Sequence, residues 1–520
     1  MRGAGGAAAL RLGAVVTVLL ASLDSACAIS LDAGPIGRWS VGGWTEFYGV
    51  VPINMETPRQ LPEWITALQL TGDIDPKLRF YLDVRSTFGG PQMHPTGLGY
   101  VTLRDTFQNT SPQVETEEIY ADIFLPSLDV RIGKQKFAWG KLDAFQPTDV
   151  LNPRRYTDPF IMSVEDQKIG IPALQAAYYP PALGDAWPQD LRATLVWVPF
   201  PIPPRFPLQD ERWFPAAYQV PPTTFIPGSD FGPQVPDILT SNEFSTANNP
   251  PVWQIDQGAI GLRLTGLWHE TDWDLYYYNG PETAPAFAFN TLLSAPDPTQ
   301  FARCILGGVP APCQLNADVS LHPINGRIQL GGADAAFESH GFTFRTEGAF
   351  STDRFVPRSV SQLLSPENLA RATKAQLLQI IAALSAGEQV PVQLGDLFVR
   401  RDVVDWGAAV DYHYLGWTPV LQLNQTILVN NSANLLVPNV DTRLFFVVRK
   451  PFFAERLQTE TGVIQGLNRS YTAAIARLTY SITDQLRARI GYLLIAGSEN
   501  SVIGQFKRND EGYVELRLSF

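Results

Sequence analysis

The chain has 520 residues, of which 17% are charged and 11% aromatic, and its formal net charge is −12. An acidic chain without a long basic run is not expected to bind nucleic acid. The charged fraction is low for a water-soluble protein, where about 25% is usual, and no apolar run after the first 28 residues reaches the roughly 18 residues that a transmembrane helix needs.

The first 28 residues have the layout of a secretory signal peptide. A start that carries arginine is followed by the apolar run Leu12–Leu20, which is too short to cross a membrane as a helix. Ala26-Cys27-Ala28 fits an A-x-A cleavage site, and Asp24 disfavours the lipoprotein alternative that Cys27 suggests. We therefore expect export and removal of residues 1–28.

The remaining chain, 29–520, repeatedly alternates apolar and polar residues. In the final segment Val514, Leu516, Leu518 and Phe520 share one face, and Tyr513, Glu515, Arg517 and Ser519 share the other. Similar segments occur at 78–85, 118–123, 260–265, 405–413 and 486–492. This period of two predicts β-strands with one apolar and one polar face.

The connections between these segments alternate between short and long. Tight periplasmic turns and long outside loops distinguish an outer-membrane barrel from a soluble sandwich. Eight turns and nine loops, of which the one near Leu467–Arg469 is tight, give eighteen strands. The segments 40–51, 191–198 and 441–452 are the weakest of these, so sixteen stays open. We predict an all-β transmembrane antiparallel barrel in the outer membrane of a Gram-negative bacterium.

Two long connections carry further features. Cys304 and Cys313 flank a segment rich in glycine and proline, and in an exported protein such a pair predicts a disulfide that pins a loop tip. Ser365-Pro366-Glu367 reads as a helix start, and the helix-forming run continues to about Leu384. This loop helix either lies across the barrel mouth or packs over neighbouring loops.

Signatures of enzymes are absent from the sequence. The five histidines (His94, His269, His322, His340 and His413) show no zinc-binding spacing, and there is no G-x-S-x-G, P-loop or C-x-x-C-H motif. We therefore predict no enzyme, no cofactor and no metal site. His413, near Asp411 on the inward face, is the best candidate for a catalytic triad whose members are distant in the sequence. A lumen histidine hydrogen-bonded to its neighbours is the simpler interpretation.

The inward faces of the predicted strands are rich in charge, as a hydrated channel requires. The candidate pore-lining residues are Arg79, Asp83, Arg85, Glu118, Asp122, Arg131, Arg263, Arg345, Glu347, Asp405, Asp411, Arg487, Arg489, Glu515 and Arg517. Arginines of the last two strands would meet Arg79 and Arg85 across the barrel closure and form a basic strip. The strip either sets an ion preference or pairs with lumen acids to stiffen the wall.

The segment from Arg131 to Phe160 begins as a strand and becomes the third outer loop, 139–167. Its charges make it a candidate constriction of the pore, and the candidate residues are Lys141, Asp143, Asp149, Arg154, Arg155 and Asp158. Simple alternation would point Lys134 and Lys136 to lipid, at a cost of about 2–4 kcal/mol for a lysine at mid-membrane. Either a bulge resets the register or the lysines lie high enough to reach lipopolysaccharide phosphates.

Within this segment, the stretch from Gly133 to Pro153 resembles one found in a poorly characterised group of proteobacterial outer-membrane proteins. Its pattern is G-K-Q-x-x-x-W-G-K-x-D-x-F-x-P-x-D-V-L-N-P. The resemblance implies a porin-like barrel. Some members of the group serve as sheaths around multihaem cytochromes or occur beside hydrophobic-compound pathways. The resemblance implies no particular functional residues.

We therefore expect a passive, porin-like channel for small solutes, narrowed by loop 139–167. Two alternatives stay open: a barrel that is a sheath or scaffold for a partner such as a multihaem cytochrome or another periplasmic protein, and a transporter of hydrophobic compounds. The expected surroundings are outer-membrane lipid and lipopolysaccharide. Assembly into a homo-oligomer is a further open question.

Overall fold

The structure is a computed structural model, which describes residues 29–32, 34, 37–53, 62–90, 113–182, 184, 187–202, 204–207, 211–228, 236–246, 257–283, 286–324, 326–359, 374–392, 397–430 and 435–520. The signal peptide expected at 1–28 lies outside these residues, as does the predicted helix start at 365–367.

Twenty-four strands make up the described β-structure. In chain order they are β1 Ile29–Asp32, β2 Arg38–Pro52, β3 Glu63–Asp75, β4 Leu78–Gly89, β5 Gln113–Leu125, β6 Leu128–Gln135, β7 Ile171–Tyr178, β8 Gln189–Val198, β9 Thr223–Ile226, β10 Ile238–Thr246, β11 Ala259–Trp268, β12 Thr271–Pro281, β13 Ala286–Ser294, β14 Cys313–Ile324, β15 Arg327–Ser339, β16 Phe342–Pro357, β17 Val390–Val392, β18 Phe398–Tyr412, β19 Thr418–Leu428, β20 Val440–Phe452, β21 Leu457–Gly466, β22 Tyr471–Ser481, β23 Leu486–Gly497 and β24 Glu511–Ser519.

Eighteen of these strands form a closed antiparallel barrel, which confirms the prediction. The ring consists of β2–β8, β11, β12, β15, β16 and β18–β24, and β24 pairs with β2 to close it. The three weakest predicted segments are β2, β8 and β20. Short turns join the strands at one end of the barrel, of which 179–188 is the longest. Longer connections join them at the other end, except that only four residues, 467–470, join β21 and β22. We call these the turn end and the loop end.

The alternation of the sequence becomes an outer and an inner face. On β11, Leu262 and Leu264 point outward and are 45% and 38% exposed, whereas Arg263 between them points inward. Arg263 pairs there with Asp274 of β12, whose side chain is fully buried. Successive side chains of a strand point to opposite faces, so one local pattern produces an apolar outer wall and a charged inner wall.

One irregularity shifts this alternation near the end of β6. The register of β4 on β5 changes between Asp83 and Val84, which leaves Glu117 as an extra residue on β5. Next to it, Gly133 of β6 has a φ of +137°, and a Cβ atom there would collide with the carbonyl oxygen of Ile119. Only glycine fits this combination of backbone angle and close strand approach.

The irregularity explains how the two lysines of this region are accommodated. Lys136 Nζ lies 2.9 Å from a Glu117 carboxylate oxygen, and the buried Lys134 donates a hydrogen bond to the carbonyl oxygen of Thr116. Both ammonium groups are therefore paired within the protein. Of the two alternatives that the sequence left open, the bulge is the one found.

Long connections at the loop end build a second sheet that the sequence did not predict. Its strand order is β17-β13-β14-β10-β9, and β10 runs parallel to β14. Two helices pack on it, α2 (Pro298–Ile305) and α3 (Lys374–Ser385), while a single helical turn, α1 (Val164–Gln167), lies in the connection between β6 and β7. None of the helices among the described residues is long and apolar enough to cross a membrane.

The predicted disulfide and the predicted loop helix meet in this second sheet. Cys304 of α2 is bonded to Cys313 of β14, with a Cα–Cα distance of 5.6 Å. Ile380 and Leu384 of α3 pack against Phe301 and the disulfide. The loop helix therefore packs over neighbouring loop structure, and its described part spans Lys374–Ser385.

Replacing Cys304 and Cys313 together by serine tests whether this bridge holds the loop sheet and not the barrel. A disulfide that closes a short loop contributes about 2–3 kcal/mol, so we expect faster tryptic cleavage after the exposed Arg303 under native conditions. The heat-modified mobility of the barrel on a gel should not change. Loss of the barrel form, or an unchanged cleavage rate, would contradict this assignment.

Candidate functional site

The connection between β6 and β7, residues 136–170, crosses the inside of the barrel, and we call it the inner segment. Backbone atoms at 143–145 bond to Gln422 of β19, which lies eight positions from β6 in a ring of eighteen strands. The carbonyl oxygen of Ile161 accepts a hydrogen bond from Arg477 of β22. A loop can reach both of these strands only through the bore.

The principal anchor of the inner segment is the buried carboxylate of Glu347 on β16. One oxygen accepts the backbone N–H groups of Lys141 (3.0 Å) and Leu142 (3.3 Å), and the other accepts the N–H (2.7 Å) and hydroxyl (2.8 Å) of Thr148. Gly140 has a φ of +85°, and a Cβ there would lie 2.7 Å from the same carboxylate. The turn therefore needs both the glycine and the glutamate.

Two amides on β19 hold the tip of the inner segment. The Gln422 side-chain oxygen accepts the N–H groups of Asp143 (2.9 Å) and Ala144 (3.3 Å). The Gln422 and Asn424 side-chain nitrogens each donate to the carbonyl oxygen of Phe145 at 3.3 Å. Amide side chains can satisfy both donors and acceptors of an irregular backbone, which a carboxylate cannot.

Charged residues of the tip are paired with the wall. Lys141 Nζ lies 2.5 Å from Asp274 of β12 and 2.6 Å from Asp334 of β15. Asp143 lies 2.7 Å from Arg345 of β16, which also pairs with Asp411 at 2.8 Å. These pairs neutralise four predicted lumen or loop charges (Lys141, Asp143, Arg345 and Asp411) within the protein.

An apolar cluster packs the tip of the inner segment against one side of the barrel wall. The Trp139 ring lies 5.2 Å from the ring of Tyr276. The buried members of the cluster are Phe137, Trp139, Leu151, Ile169, Ile171, Ala173, Val196, Val198, Ile202, Ala259, Tyr276, Tyr278, Ile328, Leu330 and Ala349. The inward face from β7 to β16 is therefore occupied by the inner segment over this height.

Buried ion pairs hold the middle of the inner segment. Asp149 lies 2.9 Å from Arg154 and 3.1 Å from the buried Lys168, and burial raises the pKa of its carboxyl group. Arg155 pairs with Glu117 of the β5 bulge. Breaking a buried pair leaves an uncompensated charge, which is strongly destabilising.

Asp158 fastens the far end of the inner segment to the first barrel strand. It accepts a hydrogen bond of 2.8 Å from the hydroxyl of Tyr48 on β2. Burial raises the pKa of Asp158 to about 6, against the opposite effect of its hydrogen-bond donors. The Phe160 ring beside it packs against the rings of Trp213 and Phe506, tilted to the first and edge-to-face with the second.

The exposed acids of the inner segment lie on α1, and the sequence did not single them out. Ser163 caps this helical turn by accepting the N–H of Asp166. The Glu165 and Asp166 side chains are 60% and 50% exposed, and Asp166 lies 3.9 Å from Arg85 of β4. A serine followed by acids at the second and third positions is a helix-start pattern that could have been recognised.

Most of the remaining predicted lumen residues are paired locally on the wall, and Arg85, Arg487 and Arg517 are the exceptions among the described residues. Arg79 pairs with Asp73, Arg131 with Asp122, Arg354 with Asp405, and Arg489 with Glu515, at 2.6–2.7 Å. Glu118 accepts the backbone N–H of Lys136, Asp83 accepts from Gln69, and His413 bonds to Thr418. Within the described residues, no group of three histidine, cysteine or acidic side chains could hold a metal ion.

The fold and the site define a closed β-barrel whose bore is crossed by one of its own loops. Residues 100–514 match the family described as "Protein of unknown function (DUF1302)", and the chain belongs to this family. No curated protein matches the chain.

Solved structures with a similar arrangement include two proteins of Acinetobacter baumannii. OccAB4 is 9% identical, with 93% of this chain and 97% of that chain covered and a TM-score of 0.43, and OccAB2 is 11% identical, with 94% and 99% covered and the same TM-score. Salmonella typhi OmpF in complex with daunomycin is 9% identical, with 95% and 100% covered and a TM-score of 0.39. Similarity at this level assigns no function.

Changing Glu347 to Gln tests the main anchor. The glutamine side chain would keep one acceptor oxygen, but its amide nitrogen would face backbone N–H groups, which are also donors. Buried donors left without an acceptor cost about 1–3 kcal/mol. We expect faster amide hydrogen exchange at 140–148. Glu338→Gln, at an exposed position on neighbouring β15, is the matched control, and equal exchange in the two variants would refute the anchoring role.

Proposed function

We propose that the protein is a porin-like channel of a Gram-negative outer membrane, in which small solutes pass a constriction formed by the inner segment. The observation that carries the proposal is the anchoring of this segment across the bore by Glu347 and Gln422. A barrel of eighteen strands is wide enough to hold an aqueous lumen. A fixed loop inside it narrows the passage without moving parts.

The outer wall supports a position in the membrane. Large apolar side chains are exposed on strands around the ring, among them Leu68, Ile119, Ile132, Leu195, Leu262, Leu275, Phe350, Leu421, Phe446, Ile490 and Val514. Water-soluble monomers rarely expose so continuous an apolar surface. Because the ring is closed, every barrel strand has a hydrogen-bonded neighbour on both sides. Backbone groups in the hydrocarbon layer of a bilayer require such partners.

The part of the wall that the tip leaves uncovered supports a hydrated passage. Strands β21, β23, β24, β2 and β4 carry inward-facing charges there, among them Glu460, Arg489, Glu515, Arg517, Glu46 and Arg85. The exposed acids Glu165 and Asp166 of α1 lie beside these wall charges, with Asp166 3.9 Å from Arg85. Opposed charges across a narrow lumen produce a field that favours or excludes ions by sign.

The geometry disfavours a sheath around a threaded partner and a transporter of hydrophobic compounds. A sheath needs an open bore for its partner, and a threaded cytochrome would have to displace an inner segment held by buried ion pairs. A hydrophobic-compound transporter needs an exposed apolar lumen path, but the apolar cluster around Trp139 is buried by packing.

Recording from the purified, refolded chain in planar bilayers tests the proposal. We expect ohmic channels, and a larger single-channel conductance when residues 142–148 are replaced by a shorter glycine-serine linker, because the tip then leaves the wall. Glu338→Gln is the control and should conduct like the native chain. Absence of conductance at any voltage, in the native chain and in the linker variant, would overturn the channel.

A further inference from the structure

The eight arginines that the sequence predicts on the lumen wall divide into two groups. Five of them hold a carboxylate at 2.6–2.8 Å: Arg79, Arg131, Arg263, Arg345 and Arg489. The other three donate no side-chain hydrogen bond to any residue that the structure describes. We call Arg85, Arg487 and Arg517 the arginine trio.

The carboxylates nearest to the arginine trio are too distant for hydrogen bonds. Arg85 lies 3.7 Å from Asp83 and 3.9 Å from Asp166, and Arg517 lies 3.7 Å from Glu46. No carboxylate lies within 4.0 Å of the Arg487 guanidinium in the described part of the chain. The Nε atoms of Arg85 and Arg517 are buried and have no partner there.

Two members of the arginine trio, Arg85 and Arg517, lie over the ring of Trp44 on β2. The guanidinium carbon of Arg517 lies 4.1 Å from the Trp44 ring centroid, and that of Arg85 lies 5.3 Å from it. Arg487 is directly opposite Arg517 in the register of β23 on β24, so their side chains share the inward face. Stacking on an aromatic ring fixes the plane of a guanidinium and so presents its donors in a defined direction.

The partly buried guanidinium groups of Arg85 and Arg517 need an acceptor, and the exposed Arg487 supplies a further donor next to Arg517. A partly buried polar group without a hydrogen bond costs free energy, and guanidinium matches the two oxygens of a carboxylate or phosphate. The acids around the site balance much of its charge, so an anion would bind weakly. Weak binding suits a conduction path, because a solute must also leave.

We propose that the arginine trio and Trp44 form a lumen binding site for small solutes that carry a carboxylate or phosphate group. The site lies beside α1, at the place where Asp166 approaches Arg85. The inference deepens the proposed channel function and rests on it for its physiological meaning. Binding itself can be measured without conduction.

The first test measures binding to the full-length protein in detergent by NMR, with acetate and methyl phosphate as separate probes. Arg517→Gln should weaken binding roughly tenfold, the loss expected for one charge-assisted hydrogen bond. Arg79→Gln is the matched control, since it removes the same charge from the same wall but from an arginine that already holds Asp73. Arg517→Lys keeps the positive charge but loses the paired N–H donors of the guanidinium group, so the loss of affinity should be intermediate.

The outcomes separate the two anion classes and the two proposals. Acetate binding alone would define a carboxylate site, and methyl phosphate binding alone would define a phosphate site. Equal losses in the Arg517→Gln and Arg79→Gln variants, or no binding of either probe to the folded native chain, would overturn the arginine trio as a site.

Reversal potentials in a salt gradient supply the second readout. The anion-to-cation permeability ratio should fall further in Arg85→Gln and Arg517→Gln than in Arg79→Gln, and equal falls in the three variants would contradict the site. Binding without conductance would retain the site and reject the channel, whereas conductance without binding would retain the channel and reject the site.

Discussion

The structure depends on one constraint, which is that an irregular backbone inside a barrel must find its hydrogen bonds in the wall. The tip of the inner segment has no ladder of its own, so Glu347, Gln422 and Asn424 accept and donate in place of a neighbouring strand. Asn152 does the same within the segment, accepting the N–H of Phe137 and donating to the carbonyl oxygen of Ile169. Because unpaired backbone groups in such a place are costly, the position of the tip follows from these few side chains.

The same constraint explains the stretch from Gly133 to Pro153, which the sequence singled out as part of a candidate constriction without assigning roles to its glycine, tryptophan and asparagine residues. Gly133 permits the bulge, Gly140 admits the Glu347 carboxylate, and Trp139 packs on the barrel wall. Gln135 is fully buried and donates to the carbonyl oxygen of Ala173. The stretch therefore contains the residues that anchor a loop inside the barrel.

Local pattern was enough to predict the barrel, because a period of two within each strand fixes both its position and its inward face. It was not enough for the loop sheet, whose parallel pairing of β10 with β14 joins distant segments. Nor could it separate lining residues from anchors: Glu347 and Asp158 were expected to line or narrow the pore, but they are buried under backbone and side-chain donors. An inward position says where a side chain points, while its role depends on what fills the space in front of it.

The contacts of the inner segment also constrain how the chain assembles. The segment is held by Tyr48 of the first barrel strand and by Arg477 of β22, close to the seam where β24 meets β2. The seam strands are separated by almost the whole chain, so their pairing carries the largest loss of chain entropy. The inner segment bridges this seam from the inside, because Asp158 is bonded to β2 on one side of it and Ile161 to β22 on the other. A strand pairing with a high entropic cost is thereby reinforced by contacts from a third part of the chain.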